Sequence, residues 1–195
     1  MDDLELALAL ADRADAITMR RFGEAGLGVR AKPDRSLVTE VDTEVEAALR
    51  AFLAEHRPSD TVLGEESGGA GSGGRRWVLD PLDHTNNYVR GLPVFATLIA
   101  LEEDGEVHAG VASAPAMARR WWASRGRGAY ADGERIRVSA VADLPDAHVT
   151  FAALHRWERR DLTSALAKIT EAARYEWGSG GFWGQMLVAE GRCVY

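Results

Sequence analysis

Trp77-Val78-Leu79-Asp80-Pro81-Leu82-Asp83-His84-Thr85 is the stretch from which the rest of this chain can be read. Trp77 to Leu79 reads as a buried strand that delivers Asp80 at its end, and Pro81 fixes a sharp turn there. Two carboxylates three residues apart then converge, with the Leu82 carbonyl between them. Hard oxygen ligands of this kind suit Mg²⁺, which completes its shell with water and substrate phosphate. Just upstream, Thr61-Val62-Leu63 reads as a short neighbouring strand ending in Gly64-Glu65-Glu66. From there Glu65 offers a third ligand and Glu66 a base. An Asp-Pro turn or a glutamate pair alone is usually surface structure. Their order here, each directly after a short apolar strand, points instead to a metal site.

Downstream of Asp83 the chain begins a turn or helix at His84-Thr85-Asn86. Backbone N–H groups at such a start bind phosphate without a basic side chain. The Thr85 hydroxyl is placed either to orient a water or to cap the helix. Asp42 lies in the first turn of a helix capped by Thr39, where an acid complements the helix dipole. Lys32, before Pro33-Asp34, reads as a surface lysine.

Outward from this centre, Leu4 to Phe22 has helical periodicity, with Leu10, Ala14 and Ile17 on one face and Gly23 closing it. Val41, Val45, Ala48, Leu49 and Phe52 form the buried stripe of a second helix that ends before Pro58. Ser67 to Gly74 is Gly/Ser-rich and reads as a mobile loop. Val94–Leu101, Val107–Ala112, Arg120–Ala123 and Arg135–Val138 are strand candidates. With Asp104-Gly105 and Asp132-Gly133 as turns, they suggest an antiparallel meander. After Ser139 come a strand candidate at His148–Ala152 and helices over Glu158–Ala173 and Phe182–Glu190.

The 195 residues are 46% hydrophobic and carry a net charge of −7, which argues against a nucleic-acid surface. An anionic substrate remains compatible, because a divalent cation reverses the local field. Cys193 is the single cysteine, so no intrachain disulfide forms and a reducing, cytoplasmic setting is expected. The acidic start Met1-Asp2-Asp3 is unlike a secretory signal, and the longest apolar run, Val94 to Leu101, is too short to span a bilayer. No membrane partner is expected.

The ordered set Thr39…Asp42, Gly64-Glu65-Glu66 and Trp77 to Asp83 followed by Thr85-Asn86 resembles the inositol-monophosphatase superfamily. Gly126-x-Gly128-Ala129-Tyr130 and Val138-Ser139 resemble its middle section. Leu8 to Asp15, Val89 to Val94, Arg120-Trp121-Trp122 and Leu187 to Gly191 are similar to its histidinol-phosphate phosphatase branch.

The resemblance implies an α+β / α/β fold, a layered αβαβα sandwich. Residues 1–138 would form an N-terminal α+β lobe carrying the metal motifs. Residues 139–195 would be the start of a C-terminal α/β lobe, incomplete because the family's Trp-Asp motif is absent. It also implies that Glu65, Asp80, the Leu82 carbonyl and Asp83 hold Mg²⁺. Thr85 with Asp42 behind it would position the attacking water, with Glu66 as a further base. Glu65, Asp83, His84 and Thr85 would face a small phosphorylated substrate, with the amides of residues 84 and 85 on the phosphate.

This chain departs from the pattern in several places. His84 stands where the family has glycine, Gly181 where the histidinol branch has aspartate, Trp177 where it has arginine, and Val194 where an acid is expected. The implied activity is histidinol-phosphate hydrolysis. An inositol- or sugar-phosphate phosphatase and a catalytically silent homologue kept for binding are the alternatives. The family is often dimeric, so a homodimer is expected. Trp121 and Trp122 suit either its interface or the core.

Overall fold

The structure, a computed structural model, describes residues 1–33, 36–69 and 74–194. Residues 70–73 of the expected Gly/Ser loop lie outside the described residues. The chain forms two compact units, Met1–Gly133 and Glu134–Tyr195.

The first unit opens with α1 (Asp3–Arg21), which begins in a capping box. The Glu5 amide donates to Asp2 Oδ1 at 2.8 Å, and the Asp2 amide donates to Glu5 Oε2 at 2.7 Å. Leu6, Leu10 and Ala14 form its buried stripe, and Gly23 follows at φ +79°. A short antiparallel pair, β1 (Val29–Ala31) and β2 (Leu37–Thr39), leads into α2 (Glu40–His56). Next come β3 (Thr61–Gly64), β4 (Arg75–Asp83) and a single helical turn, α3 (Thr85–Val89). The meander follows as β5 (Ala96–Glu103), β6 (Glu106–Ala114), β7 (Arg119–Ser124) and β8 (Gly128–Ala131).

The sheet runs β3-β4-β5-β6-β7-β8, with β3 parallel to β4 and each later pair antiparallel. Asp104 and Gly105, both at positive φ, turn β5 into β6. Cross-strand partners Leu79, Ile99 and Val111 stack in one row, and Trp77, Leu101 and Ala109 in the next. All six are buried beneath α1 and α2, where α1 crosses β5 and β6 and α2 crosses β4. Burying each large side chain contributes about 1.5–3 kcal/mol. This core therefore fixes the strand ends rigidly. Trp121 is buried, and Trp122 stacks on Tyr130 with ring centroids 5.9 Å apart.

The second unit contains β9 (Glu134–Ile136), β10 (His148–Thr150), α4 (Leu154–Glu158), α5 (Thr163–Ala172), β11 (Tyr175–Trp177) and α6 (Gly181–Ala189). β10 and β11 pair in parallel, with Val149 opposite Glu176. The single helix expected over Glu158–Ala173 is instead two. Asp161, in the left-handed region at φ +54°, ends the first, and the Leu162 amide folds back onto the Trp157 carbonyl at 3.0 Å. Among the described residues no helix is long and apolar enough to cross a membrane.

Candidate active site

The parallel pairing of β3 with β4 sets Gly64 opposite Leu79, so Glu65 emerges beside Asp80. The Glu65 amide extends the ladder by donating to the Leu79 carbonyl at 3.1 Å. The turn that follows is held by a residue that pattern reading passed over. Glu46, 1% exposed on α2, accepts from the amides of Glu66 at 2.8 Å and Ser67 at 3.1 Å. Arg50, one helical turn on, donates to the same carboxylate at 2.9 Å and also to the carbonyls of Val62 and Gly68. A Cβ at Gly64 would meet the Glu46 carboxylate at 2.2 Å, so glycine is what lets this carboxylate reach the turn. Burial alone would raise the Glu46 pKa, but the hydrogen bonds from Ser67, Glu66 and Arg50 outweigh it and hold the group below the ordinary glutamate value.

At the end of β4 the register shifts between Asp80 and Asp83. Pro81 cannot donate to the ladder, and its carbonyl instead accepts from Thr97 Oγ1 at 2.8 Å. The Leu82 amide turns back to Asp80 Oδ1 at 3.2 Å. Asp80 is thereby held half-buried among like charges. Desolvation first, then the charges of Glu65 and Asp83, push its pKa up to about 8. Glu65 also shares a hydrogen bond with it.

Lys32 is not a free surface lysine. Its Nζ lies 2.8 Å from Glu65 Oε1 and 2.8 Å from Glu66 Oε1. Burial would lower its pKa, yet these two partners raise it above the ordinary lysine value. Glu66, only 11% exposed, is shifted upward by burial despite the lysine. Among the described residues no three His, Cys, Asp or Glu side chains are gathered tightly enough to form a ready-made metal cage. Like charges repel, and Glu65 turns one oxygen to Lys32. The donor set nonetheless fits a hard divalent cation. It consists of oxygens alone, and Asp80 carries an electrostatic penalty that a second positive charge would relieve.

Thr85 links this acidic pocket to α2. Its Oγ1 donates to Asp42 Oδ1 at 3.2 Å and to the Leu82 carbonyl at 2.9 Å, two acceptors for one proton. The other Asp42 oxygen accepts from the Thr39 amide at 2.8 Å and from Thr39 Oγ1 at 2.5 Å. Thr39 is also the helix cap, accepting from the amides of Val41 and Asp42. Asp42 is 1% exposed, and burial raises its pKa against the pull of the Thr39 hydrogen bonds. It is therefore more than a dipole-complementing acid. His84 sits in the left-handed region at φ 68°, ψ 43°. Its Nδ1 lies 3.2 Å from Asn87 Nδ2, which donates to the Val94 carbonyl at 2.7 Å.

The structure thus brings Asp42, Glu65, Glu66, Asp80, Leu82, Asp83, His84 and Thr85 to the ends of β3 and β4 and the start of α2 and α3. Residues 2–194 match the family model described as the inositol monophosphatase family. This chain belongs to that family. A histidinol-phosphatase of Mycobacterium tuberculosis is 50% identical over 97% of the chain and 75% of its own length. A histidinol-phosphatase of Streptomyces coelicolor is 46% identical over 98% of the chain and 75% of its own. A solved structure of an inositol monophosphatase from Zymomonas mobilis superposes with a TM-score of 0.84 at 33% identity, covering 98% of this chain and 74% of that one. The layered mixed-sheet fold is the one these family structures share. The chain spans about three quarters of each of these family members.

Proposed function

We propose that this chain is a magnesium-dependent phosphomonoester hydrolase acting on histidinol phosphate. One observation carries the reading. A threonine hydroxyl is held between a buried carboxylate, Asp42, and the Leu82 carbonyl, next to the oxygen-only donor set of Glu65, Asp80 and Asp83. The identities of 50% and 46% to two histidinol-phosphatases support the substrate.

Glu65, Asp80, Asp83 and the Leu82 carbonyl would hold magnesium. The carbonyl has two lone pairs, so it can serve Thr85 and a cation together. When bound, magnesium lowers the pKa of a coordinated water and neutralises charge on the departing oxygen.

The chain's own residues supply the rest. Thr85 Oγ1 accepts a hydrogen bond from the attacking water, and its own proton passes toward Asp42 Oδ1, whose affinity for protons is raised by burial. The water oxygen bonds to phosphorus, the ester P–O bond breaks, and the leaving alcohol oxygen takes a proton from solvent. Glu66, also raised by burial, is a second proton-accepting position. A left-handed residue followed by a helical one aims successive N–H groups to one side, so the amides of His84 and Thr85 suit the phosphate oxygens. A cytoplasmic homodimer completes the reading.

A second reading, a sugar- or inositol-phosphate phosphatase, is favoured by Gly181 at the start of α6, which offers no carboxylate to a substrate amine. Comparing kcat/KM for histidinol phosphate, inositol 1-phosphate and fructose 1,6-bisphosphate separates the two. We expect a preference of at least about tenfold for histidinol phosphate. Equal or reversed preference would refute that choice of substrate.

A further inference from the structure

Side chains alternate along a strand, so two carboxylates three residues apart would point to opposite faces of β4. Yet Asp80 lies opposite Leu98 and Asp83 opposite Ala96, two positions that share one face of β5. Pro81 and Leu82 together therefore oppose the single residue Thr97. This two-against-one pairing is a β-bulge, and its extra residue returns Asp83 to the face that carries Asp80. Leu82, 2% exposed, packs into the core on the opposite side.

A bulge disrupts the ladder locally, and backbone groups freed inside a protein need other partners. Here Thr97 Oγ1 donates to the carbonyl of Pro81, itself a buried residue, at 2.8 Å. Thr97 is 1% exposed, and its branched Cβ restricts the hydroxyl to few orientations. The register pairs it with Ser113 on β6, also 1% exposed, so the two side chains share one face of the sheet. Their hydroxyls act differently. Ser113 Oγ donates to Asp15 Oδ2 at 2.7 Å and accepts from Arg120 Nε at 2.9 Å, which ties α1 to the sheet. Thr97 ties β5 to the bulge.

We propose that Thr97 is a positioning residue for the phosphatase reaction, its hydroxyl clamping the bulge at Pro81 so that Asp80 and Asp83 converge. The proposal rests on the reading that these two carboxylates hold the metal. Thr97 acts through the main chain of β4. Without its hydroxyl the Pro81 carbonyl becomes an orphaned buried acceptor, which the bulge relieves by shifting. Metal binding must then reorder the loop, and affinity falls.

Binding of Mn²⁺ to the whole chain, followed by water-proton relaxation, tests this in the wild type, Thr97→Val, Thr97→Ser and Ser113→Ala. Valine keeps the shape of threonine and suits a strand, so Thr97→Val should keep the wild-type circular dichroism. Its Mn²⁺ affinity should fall about tenfold or more, which corresponds to about 1.4 kcal/mol. Thr97→Ser restores the donor and should bind within about twofold of the wild type. Ser113→Ala removes an equally buried hydroxyl of the same row and should leave the affinity unchanged, whatever it does to stability. In EDTA, amide hydrogen exchange of residues 80–85 should quicken in Thr97→Val and keep the wild-type rate in Ser113→Ala. If Thr97→Val does not hold the native fold, Thr97→Ala against Thr97→Ser gives the same contrast. Unchanged affinity and exchange without the Thr97 hydroxyl, or an equal loss in Ser113→Ala, overturns the proposal alone. A wild type that binds no Mn²⁺ overturns the metal reading and this proposal with it.

Discussion

Replacing Glu46 by Gln tests whether the Glu65-Glu66 turn is held from beneath by α2. The carboxylate accepts three hydrogen bonds, from the Glu66 amide at 2.8 Å, the Ser67 amide at 3.1 Å and Arg50 Nε at 2.9 Å. Glutamine keeps the shape but can present only one oxygen. Its NH₂ must face either the Glu66 amide or the pair formed by Ser67 and Arg50, so donor meets donor. An orphaned buried donor costs about 1–3 kcal/mol, and the bond to Arg50 loses its charge assistance. A total of about 2–4 kcal/mol is expected by urea unfolding at pH 7.

The sign of the pH dependence follows from the lowered Glu46 pKa. Its stabilising contribution is present above the unfolded glutamate pKa and is lost as pH falls through the lower folded value. The gap between wild type and Glu46→Gln should therefore narrow below about pH 4. Mg²⁺ affinity should also fall, because Glu65 leaves the same turn. A loss under about 0.5 kcal/mol at pH 7, or a gap that ignores pH, would refute the reasoning.

Three further outcomes are expected. In EDTA the wild type should lose stability as pH rises toward 8, because a raised folded pKa contributes stability below the unfolded pKa that disappears as pH passes the folded one. Asp80→Asn should flatten that profile and be the more stable protein at pH 9, by up to about 1.4 kcal/mol for each tenfold change in proton affinity on folding, and parallel profiles would contradict this. His84→Gly relieves a left-handed non-glycine residue worth about 1 kcal/mol and opens the phosphate approach, so kcat/KM for histidinol phosphate should rise; a fall with unchanged stability would show that the ring contributes to binding. Thr85→Val removes the hydroxyl but not the shape, and should lower kcat about 10²-fold or more with little change in KM; an unchanged kcat would remove Thr85 from the reaction.

Much of the framework was readable because local chemistry dictates it. Trp77 to Leu79 lies in a strand whose register breaks around Pro81, although β4 continues to Asp83, Thr39 caps α2, and Asp104-Gly105 supplies the positive φ values of a hairpin turn. What escaped depends on contacts distant in sequence. Lys32 reads as a surface lysine because nothing local reveals Glu65 and Glu66 across the fold. Glu46 did leave a trace. It shares the buried face of α2 with Asp42, Leu49 and Leu53, and an acid on a buried stripe demands partners. The break between α4 and α5 depends on Asp161 accepting a left-handed conformation, which aspartate tolerates but helical periodicity does not reveal.

The most direct measurement is phosphate release from histidinol phosphate, in millimolar Mg²⁺ and in EDTA, for the wild type and Asp80→Asn. Release by the wild type that requires Mg²⁺ and is lost in Asp80→Asn is the expected result. Hydrolysis indifferent to EDTA, or equal in the two proteins, would contradict it.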